Sequence, residues 1–182
     1  MFADQAAASP LTDWQNFYVI VGSSAGALTG LQFVVIALVA EVRSAASMLE
    51  IRAFGSPTVV HFCGVLVISA ILSAPWHGLS GPAIALSFCG LAGVGYAIRA
   101  IGHARRQTHY QPDAGDWMWY SILPLGAYAA LALTAVLLSW HAKAALFTIA
   151  GIALTLLLIG IHNAWDTVTY IALDWKPRHE RD

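Results

Sequence analysis

Five long hydrophobic blocks run along this chain, at about 17–41, 57–76, 82–101, 118–140 and 143–165. Each is long enough for a helix rising ~1.5 Å per residue to cross ~30 Å of hydrocarbon. The segments between them differ: 42–56 and 102–117 are charged and polar, whereas 77–81 and 141–142 are little more than turns, the first marked by Gly78, Gly81 and Pro82. This pattern predicts an all-α, polytopic membrane bundle of five transmembrane helices, one membrane domain over residues 1–182. The last helix is expected to run past the bilayer to about residue 173, because neither Gly nor Pro interrupts it between His162 and Pro177, and a tail of 174–182 follows.

Composition supports the membrane reading. Of 182 residues, 58% are hydrophobic and only 10% charged, against roughly 25% charged in an ordinary soluble domain. The mean hydropathy is +0.66. A net charge of −1 without a basic cluster sets nucleic acid aside as a partner, since that binding needs several phosphates neutralised by Lys or Arg. Cys63 and Cys89 lie inside apolar runs without metal-site spacing and read as small core residues. No Lys or Arg precedes Arg43, so the positively charged start of a signal peptide is missing and the first helix is expected to be retained.

Charge also predicts orientation. With the N-terminus outside and the C-terminus cytoplasmic, eight of the nine Lys and Arg face the cytoplasm and only Lys143 faces out. Trp14, Trp76 and Trp140 then fall at outer ends, while Trp117, Trp119, Trp165 and Trp175 fall at or beyond inner ends, as interfacial indoles prefer. Ser9-Pro10 resembles a helix cap followed by a first-turn proline, and segment 9–16 is expected to lie along the outer surface.

In lipid, helices associate through close contact between small residues. "VGSSAGALTGLQF" places Gly22, Gly26 and Gly30 on one ridge, either seating the first helix in its own bundle or forming a homo-oligomeric interface. "CGLAGVG" at 89–95 is a second such surface and a candidate partner for the first. Gln32, deep in the first span, needs a hydrogen bond, as interhelical glue with Thr29 or as a pore-lining group. The stretch "VGSSAGALTGLQFVVIALVAE" resembles the opening helix of small, functionally uncharacterised bacterial multi-pass membrane proteins carrying an ALTGLxFV-type run. The likeness covers about 20 residues; it implies a bacterial inner-membrane location and brings no activity.

Ionisable groups gather in the cytoplasmic leaflet. His61 sits inside the second span before the uncharged run "FCGVLVISAILSAPW", and His162 enters the same layer from the fifth. Glu41, Arg99 and His103 close other spans at that level. His162 and Asp166 are one turn apart on one helix face, a spacing suited to a hydrogen bond, a proton relay or metal ligation, or to simple interfacial pairing with Arg99, Arg105 or Arg106. His61 needs a partner, for which His162 and Glu41 are the candidates. His61 and His162 at similar depth also admit a metal or a bis-His haem. Intramembrane ionisable groups usually mark ion or proton paths. A homo-oligomeric channel or transporter with Glu41, His61, Arg99, His162, Asp166 and Gln32 on its path is therefore the leading expectation. The alternatives are an accessory or assembly subunit of a larger membrane complex and a haem- or metal-binding redox subunit. No HExxH, GxSxG, P-loop or paired-carboxylate motif argues for an enzyme.

Overall fold

A computed structural model describes residues 9–42, 47–105 and 114–173, with side chains described among them except at 38–42, 47–56, 103–104, 114, 116 and 170–173. The described residues form helices and turns, without a strand. Five long helices run as α1 (Gln15–Val42), α2 (Ser47–Ser73), α3 (Ser80–Ala104), α5 (Leu123–Leu137) and α6 (Ala142–Leu173). A short α4 (Ala114–Trp117) and a π-helical turn (Met118–Ile122) lead directly into α5.

Four segments are long and apolar enough to cross a membrane: Thr12–Ala37, Ser80–Gly102, Met118–Leu137 and Ala142–Thr169. This is the architecture of a multi-pass membrane protein. The block expected at 57–76 is shorter, an apolar helical stretch of Pro57–Ser73. Its helix begins ten residues before Pro57, so much of the segment expected to be a polar connection is helical. The last helix reaches Leu173, as its uninterrupted sequence implies. The cytoplasmic tail expected at 174–182 lies outside the described residues.

The helices pack α1 on α2, α2 on α3 and α6, and α5 on α3 and α6, with α1 also touching α6. Thus α2, α3, α5 and α6 surround a common interior, and α1 lies outside them against α2 and α6. On α6 the fully buried Ile149, Ala153, Leu156, Ile159 and Asn163 recur every three or four residues, the period of one helix face. That face fills the interior, while Phe147, Leu154 and Leu158 point outward.

Glycines set the close approaches. A Cβ at Gly22 would lie 2.8 Å from the Cβ of Ser69, and one at Gly26 would lie 3.2 Å from a Leu66 methyl. The first small-residue ridge therefore packs on α2 of its own chain, antiparallel to it. The second ridge does not meet the first: Gly90 abuts the Ala132 backbone and Gly93 the Tyr128 ring, both on α5. Two adjacent antiparallel helices each offering small residues approach more closely than either could approach a distant partner.

The lead-in caps one end of the bundle, with most of its residues exposed. The Ser9 hydroxyl accepts the Leu11 N–H at 3.4 Å, and a 3₁₀ turn at Thr12–Trp14 follows. Leu11 is buried, and Trp14 packs edge-on to Phe147 of α6 at 4.7 Å. One end of the bundle, called here the Trp14 end, is thereby closed with aromatic rings. Trp76 and Trp140 follow the C-termini of α2 and α5 at this same end, and Trp119 and Trp165 stand at the other.

Candidate functional site

The candidate site lies toward the Trp119 end, and a proline shapes its rim. Pro124 lacks an N–H for the Tyr120 carbonyl one turn back, and its ring crowds that carbonyl. The turn widens in response: the Leu123 N–H bonds to the Met118 carbonyl, five residues earlier. Such π turns are often found at functional sites. This one presents Trp119, whose ring stacks on His162 with centroids 3.9 Å apart and planes 25° from parallel. On its other edge His162 is bonded through Nε2 to Asp166 Oδ2 at 3.1 Å, both side chains being more than a third exposed. Arg105 lies over the neighbouring Trp117 ring at 5.8 Å.

His61 belongs to a different environment. It is 1% exposed, and Nδ1 is 3.2 Å from the Tyr128 hydroxyl. Tyr128 reaches it from α5 because two glycines make room. A Cβ at Gly64 would come 2.9 Å from the tyrosine oxygen, and one at Gly93 would overlap the ring. A neutral imidazole has one donor and one acceptor nitrogen. The Tyr128 contact satisfies Nδ1, and Nε2 has no partner.

Other buried groups share that condition. Thr58 Oγ1 and both side-chain amide atoms of Asn163 are buried without a hydrogen-bond partner. Packing sets their level: Phe62 of α2 lies on Gly160 of α6. The two helices are antiparallel, so Thr58, four residues before Phe62, and Asn163, three after Gly160, are both displaced toward the Trp119 end, by about 6 and about 4.5 Å. Thr58, His61 and Asn163 thus form one polar layer, closed on the other side by the fully buried Val65, Ile68 and Leu131. Two more orphaned groups, Tyr18 Oη and Ser69 Oγ, lie toward the Trp14 end. Eight residues, or about 12 Å of helix rise, separate Ser69 from His61.

The residues singled out from the sequence are therefore dispersed. His162 and Asp166 are together. The pairing expected between His61 and His162 is not formed: His61 bonds to Tyr128, and His162 to Trp119 and Asp166. Asp166 takes the histidine of its own helix, the nearer partner on the same helix face, and Arg106, one of the arginines expected to pair with this cluster, lies outside the described residues. Gln32 is buried, and the Thr29 hydroxyl donates back to the Ala25 carbonyl at 2.8 Å. Arg99 is exposed on α3. Glu41 is helical, with its side chain outside the described set, as are the side chains of His103 and Tyr170. Gly30 lies on the α1 ridge with open space where a Cβ would stand. Among the described residues no group of three or more His, Cys, Asp or Glu is placed to hold a metal ion.

Sequence reading missed Thr58, Tyr128 and Asn163. Asn163 had a visible signal, since it continues the Leu156–Gly160 face of an apolar helix. Tyr128, a phenol in mid-block, offered another. Thr58 offered none. No known protein family, curated protein or solved structure matches the chain.

Proposed function

We propose that the protein is a small five-span, transporter-like membrane protein, N-terminus outside and C-terminus cytoplasmic, working through the polar layer of Thr58, His61, Tyr128 and Asn163. The carrying observation is the group of four orphaned side-chain atoms on Thr58, His61 and Asn163 in a closed helical interior. A buried polar group without a partner costs roughly 1–3 kcal/mol by protein mutational data and more in hydrocarbon. Groups kept at that cost are usually functional in a membrane interior. The His162–Asp166 pair under Trp119 stands between this layer and the cytoplasm on the proposed orientation. The dry stretch of Val65, Ile68 and Leu131 favours an occluded, transporter-like site over an open pore through one bundle.

The proposed setting is a bacterial inner membrane, and the proposed state a homo-oligomer. Gly30, unoccupied by its own chain, supports the latter. Reconstituted vesicles loaded with pH- and ion-sensitive dyes test the transport reading. Flux above empty vesicles, lost in His61→Leu and retained in His77→Leu at the exposed turn, is expected. Equal flux from protein-containing and empty vesicles across a range of pH would overturn it.

The second reading is an accessory subunit of a larger membrane complex. The shallow, open and largely apolar seam between α1 and α2, edged by Ser23, Ala27 and Ala70, favours it. Stoichiometric co-purification of another membrane protein in mild detergent, without flux from the isolated chain, would establish that role.

A further inference from the structure

We infer that the layer between α2 and α6 is a binding site for a small, uncharged hydrogen-bonding guest, and that in the resting protein the guest is water. The inference rests on reading this layer as the working site of the bundle. Its test does not depend on transport.

The donor set defines the guest. Thr58 contributes a hydroxyl that donates and accepts, Asn163 an amide with both functions, and His61 a single nitrogen whose partner across the ring is already engaged by Tyr128. Thr58 and Asn163 are wholly buried and His61 is 1% exposed, so bulk solvent satisfies none of them. They are also not bonded to one another, although Phe62 on Gly160 fixes the register that brings Thr58 and Asn163 to similar depth. A molecule that both donates and accepts, small enough to sit between two packed helices, meets all three. Water fits, since buried waters typically make two to four hydrogen bonds to otherwise unsatisfied groups.

Charge narrows the class further. The buried polar side chains among the described residues are Gln32, Thr58, His61, Ser69, Ser121 and Asn163, without a carboxylate, ammonium or guanidinium. An ion there would lack a fixed counter-charge in a low-dielectric interior, an expensive arrangement. A neutral guest carries no such cost.

Histidine-selective ¹⁵N labelling and water-edited solid-state NMR of the full chain in lipid bilayers test this directly. Magnetisation from water is expected to reach the His61 Nε2 signal in the wild type. In the double variant Thr58→Val, Asn163→Leu, which removes the hydrogen-bonding groups at similar volume, that transfer is lost. His162, at the partly exposed rim, keeps its water contact in both proteins as the internal reference, and its unchanged signals, shifted by the stacked Trp119 ring, report that the bundle remains folded. A water-isolated His61 in the wild type would overturn the inference, as would undiminished transfer in the folded variant. If the variant fails to fold, Asn163→Asp and Thr58→Ser, which retain hydrogen-bonding groups, must preserve the transfer singly; its loss in both would also overturn it. Wet His61 without vesicle flux would reject transport and keep the site, and flux with a dry His61 would do the reverse.

Discussion

The two glycine ridges look alike as strings of letters and do different work. On α3, Gly90 and Gly93 face α5 at distances that leave no room for a methyl group, the first against the Ala132 backbone and the second against the Tyr128 ring. On α1, contact loosens along the helix: Gly22 is tight against Ser69, Gly26 looser against Leu66, and Gly30 open. The α3 ridge is therefore part of the candidate site, since it lets a phenol cross the interior to His61. The α1 ridge attaches an outer helix and leaves its far end free. Small-xxx-small patterns report the capacity for close approach; the facing helix decides what that capacity serves.

That contrast can be broken by substitution. Gly93→Ala carries the largest expected effect, a loss of about 3 kcal/mol from overpacking against a buried ring, with displacement of Tyr128 from His61. Reversible unfolding in mixed micelles measures it, and a loss smaller than that of Gly22→Ala would remove the distinction between the ridges. Tyr128→Phe keeps the ring and orphans His61 Nδ1, with an expected loss of about 1–2 kcal/mol. A change in the His61 ¹⁵N shifts should accompany it, and unchanged shifts would show that the bond is not made.

Gly22→Ala is expected to cost about 1 kcal/mol, because the Ser69 Cβ is fixed to its backbone and the outer helix α1 must move slightly away from α2. Combining it with Ser69→Gly should recover most of that loss if the contact is the cause. Gly30→Ala is the smallest and opposite in sign, a gain of about 0.5 kcal/mol from the better helix propensity of alanine. In the same variant, reduced self-association by crosslinking in bilayers would sharpen the contrast, showing that a second copy occupies the open end. Unchanged association would place the oligomer contact elsewhere.

Legibility followed the range of the interactions. The apolar blocks, the presence of two tight turns (expected at 77–81 and 141–142, found a few residues earlier at 74–79 and 138–141), and the reach of the last helix to Leu173 are local properties, governed by hydrophobic length and helix breakers. The His162–Asp166 contact was legible for the same reason, since four residues on a helix always share a face. The extent of α2 was not, because its first ten residues are polar enough to read as a connection. His61 was identified as needing a partner, and the one it takes, Tyr128, was not among the candidates. Histidine and glutamate are the conspicuous candidates in a sequence, whereas a tyrosine becomes one only when Gly64 and Gly93 clear its path across two helix interfaces.

By itself the sequence determined that this chain is helical, rich in membrane-length segments and poor in charge, with its ionisable groups gathered near one set of helix ends. Hydrocarbon length and backbone hydrogen bonding leave a chain of this composition few other forms. Only the tertiary structure decided which polar groups meet. It separated His61 from His162, gave each its own aromatic neighbour, and brought Thr58 to the level of Asn163 through the seating of Phe62 on Gly160. The reason is physical: depth along a helix follows from counting residues, while the rotation and register of one helix against another depend on side-chain packing across the interface.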